Sequence, residues 1–209
     1  MKTVTKTPYR QIRALFNEDT ITVYQAYSDE IAVAAVEHQR LSASPAFKPT
    51  RFTWIKPSWA WMMYRSGYSY KDRRQTRILA LRMTHENFRR ILRQATVTGH
   101  SGEPLTPEDR SRLVRVQWDP ERDVRLGVLP FRSIQIGIGG EASKTWAESM
   151  IVSIEDVTEK ARALKKALEE NPEIEEENLS ELGIVPRERV YDLPDDLREI
   201  LKMGVEADG

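Results

Sequence analysis

Apolar and polar positions along this chain switch repeatedly between the period of a strand and the period of a helix. Residues 20–26, TITVYQA, are β-branched and aromatic and predict a strand. Ser28 follows as a helix N-cap, with Asp29 and Glu30 in the first turn. Ile31, Ala34, Ala35 and His38 then recur at helical spacing, so the helix is expected to reach about Leu41. SASPAFKPT reads as a loop and residues 51–55 as a second strand. Lys56-Pro57-Ser58 turns the chain into a short helix over 59–65 that Gly67 stops. A polar, basic loop over 68–74 leads to a third strand, 76–83, and Thr84 caps a helix with Phe88, Ile91, Leu92 and Ala95 on one face.

The second half continues the mixture. Strands are expected over 113–118 and 131–138, with a turn at Asp119-Pro120. Alternation in FRSIQIGI puts Phe131, Ser133, Gln135 and Gly137 on one face. A short helix over 142–147, a strand over 150–154 and a helix over 159–170, capped by Asp156 or Thr158, complete the pattern. Residues 1–8 read as a loose arm and 99–107 as a flexible connection. About six strands with helices out of strict alternation predict an α+β fold: a mixed, largely antiparallel sheet with flanking helices. The domain is expected to span 1–170. The composition turns acidic after Asn171-Pro172, so 171–209 read as a mobile acidic tail with one short helix, 195–203.

A length of 209 residues suffices for one full core without staples. With no cysteine, disulfides, thiolate metal sites and a Cys nucleophile are excluded, and His38, His85 and His100 give no zinc spacing. No apolar run approaches a membrane span and no signal-like segment opens the chain, so a cytoplasmic location without membrane contact is expected, and no metal. The net charge of zero divides unevenly: residues 1–100 hold 17 Lys and Arg against 7 Asp and Glu, and the remainder 15 against 25. That asymmetry fits a phosphate-bearing ligand, or two halves that neutralise each other on packing. Its focus is residues 51–77, with seven aromatics, seven Lys or Arg and one acid, Asp72. Such a stretch makes either a buried aromatic helix with snorkelling cations or the floor of a site for a flat, anionic ligand.

No phosphate-loop, dinucleotide, nucleophile-elbow, zinc-protease or kinase signature is present. Three clusters remain. Arg10 and Arg13, with Tyr24 on the first strand, can clamp a phosphate, or Arg10 and Arg13 can pair with Glu18 and Asp19. Trp54, Trp59, Trp61 and Tyr64 can stack a ring, with Lys56, Arg65 and Lys71 near its phosphates; helical spacing sends some of these rings into the core. Ser58 serves equally as a cap or a catalytic hydroxyl. Asp119 and Glu121 are the carboxylates best placed for chemistry, although an acid at a turn more often caps its own backbone. Gln135, mid-strand among apolar residues, must find a partner, in a ligand amide or in a neighbouring strand.

The segments YRQIRALFNEDTITVYQAYSDEIAVAAV, TWIKPSWAWMMYRSGY, VQWDP and FRSIQIGI resemble the DUF4291 family, a domain of unknown function, over roughly residues 9–158. The element order over 20–83 is also similar to the ADP-ribosyltransferase superfold. That resemblance implies an NAD-contacting first strand (Arg13 or Tyr24), an aromatic and a hydroxyl on the second (Trp54, Ser58), and Gln135 where the superfold carries its catalytic glutamate. Gln135 lacks the charge that orients the ribose, so Glu121 or Glu141 substitutes, or another chemistry operates, or the protein only binds. The resulting expectation is a nucleotide-binding, NAD-like enzyme of ADP-ribosyltransferase-like type acting on a protein or nucleic acid. The alternatives are an RNA- or DNA-binding module built on 51–77, and a structural or interaction protein. The oligomeric state is left open.

Overall fold

The protein is described from a computed structural model over residues 8–99 and 106–204. The expected N-terminal arm and most of the 99–107 connection lie outside the described residues. Strand β1 (Arg13–Ala14) precedes β2 (Thr20–Tyr27), α1 (Asp29–His38), β3 (Thr53–Ile55) and α2 (Trp59–Ser66). Then come β4 (Arg77–Thr84), α3 (His85–Leu92), β5 (Ala95–Val97), α4 (Pro107–Ser111), β6 (Val114–Arg122) and β7 (Val128–Ile138). The chain ends with α5 (Gly140–Thr145), a π-turn, β8 (Ile151–Asp156), α6 (Thr158–Glu170), α7 (Glu176–Glu181), β9 (Arg189–Val190) and α8 (Asp195–Ile200). The fold is α+β.

Two sheets form the body. One is antiparallel in the order β2-β4-β8; the other is mixed, in the order β3-β7-β6-β5, with only β5 and β6 parallel. A two-way backbone bridge between Tyr24 and Lys56 joins them. The strand period explains the two cores. On β2, Ile21 and Val23 enter a core shared with the mixed sheet, α1 and α3, while Tyr24 and Ala26 enter a second core under α2 and α6. On β4, Leu79, Leu81 and Met83 take the first core, and Ile78 and Ala80 the second.

Three differences from the sequence reading have physical causes. Residues Asp119-Pro120 do not turn; β6 runs through them. Pro120 lies opposite Arg132, whose N–H and C=O bond Tyr9 and Gln11 instead, so the missing proline N–H leaves no acceptor unpaired. The turn comes at 123–127, where the Asp123 carboxylate accepts from the N–H groups of Arg125 and Gly127. Ala95 leaves the face of α3 to pair with Val114. The expected acidic tail is packed over 171–204. Its acids other than Glu188 face water while Leu179, Val185, Tyr191, Leu193, Leu197 and Leu201 are buried at irregular spacing, and β9 pairs with β1.

Candidate functional site

The mixed sheet is apolar on one face only. Along β6, Val114, Val116 and Trp118 enter the first core, and Gln117 and Asp119 point the other way. Along β7, Ile134, Ile136 and Ile138 are in the core, leaving Ser133, Gln135 and Gly137 opposite, as the alternation predicts. Register sets Gln117 against Gln135 and Asp119 against Ser133, and the Gln135 amide donates to Gln117 Oε1 at 3.2 Å. Trp54 of β3 lies against Gly137, where a Cβ would collide with the Phe52 ring and come within 2.9 Å of Trp54. The missing side chain lets both rings rest on the sheet.

Helix α2 roofs this polar row. Ser58 caps it, accepting from the N–H of Trp61 at 3.2 Å, and Gly67 closes it in a left-handed conformation. The Ser58 hydroxyl also donates to Glu121 Oε1 at 2.6 Å. Lys56 is fully buried below the helix, its Nζ 4.7 Å from the centroid of the Trp61 ring, 3.6 Å from Asp119 Oδ2 and 3.4 Å from the Ser133 carbonyl. Burial pushes the Lys56 ammonium down to a pKa of about 8, against the opposing charges of Asp119 and Glu121.

At the Gln117–Gln135 end of the row opens a cleft of about 820 Å³. Its walls carry the rings of Tyr27, Phe47, Phe52, Trp54 and Trp61. Lys48, Arg51, Arg65 and Arg74 add cations, Gln25, Gln75, Gln117 and Gln135 add amides, and no lining residue is an Asp or Glu. Arg74 is held by Asp72, Nη2 to Oδ2 at 2.7 Å, and that contact keeps the Asp72 carboxyl below the usual carboxylate range. Arg51 and Arg65 are exposed and make no ion pair among the described residues.

Of the residues singled out in the sequence, Trp54, Trp61, Arg65 and Gln135 meet in the cleft. Lys56 lies beneath it, and Ser58 with Glu121 occupies the far end of the polar row. Arg10 and Arg13 do not form a phosphate clamp there, nor do they pair with Glu18 and Asp19. The Arg10 guanidinium donates to the Lys202 carbonyl at 2.9 Å and that of Arg13 to the Glu188 carbonyl at 3.1 Å, because the C-terminal segment covers this edge. Tyr24 is buried edge-on to Trp59, at 5.3 Å between centroids, and burial raises its pKa. Tyr64 and Lys71 lie on the outer surface, with Arg122 stacked 3.5 Å over the Tyr64 ring. The sequence reading missed Phe47 and Lys48, in a segment that shows no pattern, and Gln117, whose alternation with Trp118 is the available signal. It also missed Glu188, whose carboxylate accepts from the N–H of Trp59 at 2.6 Å.

These features define a class: an α+β protein with an aromatic, cationic cleft at the junction of two sheets. Residues 11–191 match the family model of a domain of unknown function, DUF4291, and the chain belongs to that family. The match passes beyond the 158th residue and takes in the C-terminal segment through Tyr191. No curated protein matches the chain. Among the described residues no helix is long and apolar enough to cross a membrane, and no three His, Cys, Asp or Glu side chains are grouped to hold a metal.

Proposed function

We propose that the cleft binds a flat, anionic ligand of the nucleotide class, with an NAD-like dinucleotide as the leading candidate. The observation that carries this reading is the lining: five aromatic rings and four cations around about 820 Å³, with no carboxylate. Small-molecule sites commonly occupy about 300–1,000 Å³, and rings beside guanidinium groups suit a base and its phosphates. The amides of Gln117 and Gln135 offer donors and acceptors to a base or carboxamide edge. An ADP-ribosyltransferase-like reaction on a protein or nucleic acid is the finer form of this proposal. It would have to use Gln135 at the ribose, because Glu121 lies beyond Lys56 and Glu141 does not line the cleft, so binding without transfer fits the lining better.

A second reading rests on a different observation. Tyr70 is 62% exposed with Arg162 and Lys165 over its ring, and Tyr64 is exposed under Arg122. Such ring–cation pairs suit a single-stranded nucleic acid as a surface platform. Thermal unfolding with NAD, ADP-ribose, ATP and short RNA or DNA oligomers separates the two. A nucleotide at a hundred times its Kd should add about 2.7 kcal/mol of stability, and the effect should survive moderate salt. Trp54→Ala and Arg65→Ala should each remove it, while Arg13→Ala should leave it unchanged. A shift with oligomers alone, lost on adding salt, would replace the nucleotide reading with the nucleic-acid one.

A further inference from the structure

The polar row under α2 ends in a second cavity, at the Glu121 end, of about 180 Å³. Its chemistry is opposite to that of the cleft. Four carboxylates, Glu121, Asp123, Glu176 and Glu188, line it with two arginines. The arginines do not neutralise the four acids in full: Arg13 donates to the Glu188 carbonyl and its charge acts on the Glu188 carboxylate, and Arg122 donates to the Leu126 carbonyl and stacks on Tyr64, with its Nε buried and without an acceptor. Among the described residues none of the four carboxylates makes an ion pair.

The decisive atom is Glu121 Oε2. Glu121 is 3% exposed, and its Oε1 accepts from the Ser58 hydroxyl and the Arg122 N–H, but Oε2 is buried with no partner. The indole Nε1 of Trp59, another lining residue, is likewise buried without an acceptor. A buried carboxylate oxygen without a donor is costly unless something supplies one. Glu188, whose carboxylate accepts from the Trp59 N–H, lies beside it: burial and the Glu121 charge raise its pKa well above the usual carboxylate value, against that bond and the Arg13 charge.

We infer that this cavity is a binding site for a small organic cation, a primary ammonium or guanidinium group on a short skeleton. Glu121 Oε2 accepts its hydrogen bond, Trp59 and Phe131 flank it as aromatic walls, and Trp59 Nε1 donates to an oxygen on the same ligand. The described residues gather no three-ligand metal set, which favours the organic ion over a metal. The space is that of about six water molecules at ~30 Å³ each, enough for a few heavy atoms. A free metabolite and the tip of a protein Lys or Arg share this chemistry. The inference does not depend on what fills the large cleft.

Methylguanidinium and methylammonium, titrated calorimetrically into the full chain with sodium as ionic control, test it. Saturable binding of at least one is expected, weakened at least about tenfold, or ~1.4 kcal/mol, in Glu121→Gln. That substitution removes the charge and leaves an oxygen for Ser58. A cation beside Glu188 favours its ionised form, so binding should release a proton and tighten as pH rises; titration in two buffers of different ionisation enthalpy reads this directly. Trp54→Ala, which alters only the large cleft, should bind the probes normally. If Glu121→Gln fails to fold, Glu176→Gln on the exposed start of α7 should still weaken binding. Tighter binding of a blocked arginine peptide than of methylguanidinium would assign the group to a protein side chain. Absence of saturable binding, or equal binding by wild type and Glu121→Gln, would overturn the inference.

Discussion

Lys56 concentrates the energetics of this protein in one side chain. Its ammonium has no exposure and is held by Asp119, the Ser133 carbonyl and the Trp61 face. Taking a charge out of water costs several kcal/mol unless partners offset it, and the pKa of about 8 in place of 10.5 records an incomplete offset. The sign of the pH effect follows. Between about 8 and 10.5 the unfolded chain holds the Lys56 proton and the folded chain does not, so folding gains as pH rises through that window. Wild-type stability should therefore rise relative to Lys56→Met, by up to about 3 kcal/mol across the window, in urea unfolding at several pH values. A constant difference would contradict a buried ammonium. None of this was legible in Lys56-Pro57-Ser58, which reads as a turn; the ring above Lys56 and the carboxylate beside it arrive from α2 and β6.

Helix α2 shows what an element can disclose from sequence and what it withholds. Its start and stop are written locally: Ser58 supplies the cap and Gly67 the left-handed residue, at φ 55°. The same Ser58 hydroxyl also donates to a buried carboxylate more than sixty residues away, a bond no local pattern encodes. Ser58→Ala should thus cost more than a surface cap. We expect about 1–3 kcal/mol, the cap and the stranded Glu121 oxygen together, read as a lowered denaturation midpoint with unchanged m-value. Long elements such as β2, β4 and α6 were legible because several periods of pattern accumulate in each. Strands β1, β5 and β9, of two or three residues, are too short to show any period and exist only because a partner strand is present.

Across the whole molecule the charge asymmetry is partly neutralised by contact between the halves. Lys56 pairs with Asp119, Arg77 with Asp156, Arg82 with Glu155 and Arg93 with Asp196. What remains around Lys48, Arg51 and Arg65 gives the cleft its sign. The C-terminal segment belongs to the same architecture. Tyr191 stacks on His85 and donates its N–H to the Ile12 carbonyl, and the Leu201 carbonyl accepts from Trp118 Nε1 at 2.9 Å. Fully burying one Leu-sized side chain is worth about 1.5–3 kcal/mol, against a typical total stability of about 5–15 kcal/mol. Deleting the chain after Glu170 removes the buried Leu179, Val185, Tyr191, Leu193, Leu197 and Leu201 at once. The truncated protein should lose its cooperative melting transition and its soluble yield; a normal melt would show that the segment is dispensable.

By itself the sequence determined the α+β class, the caps of α2 and α3, the two-faced β7 strand and the family. It also marked residues 51–77 as a place where rings and cations meet. These are properties of one to three consecutive elements, set by backbone preference and side-chain period. Tertiary structure alone decided that Trp54, Arg65 and Gln135 share a cleft while Arg10 and Arg13 serve the C-terminal segment. It alone put Glu121 and Glu188 beside one small cavity. The reason is physical: a cleft or a buried charge is defined by the distances between strands and by what excludes water. Sheet register fixes those distances, and register depends on partners tens of residues away along the chain.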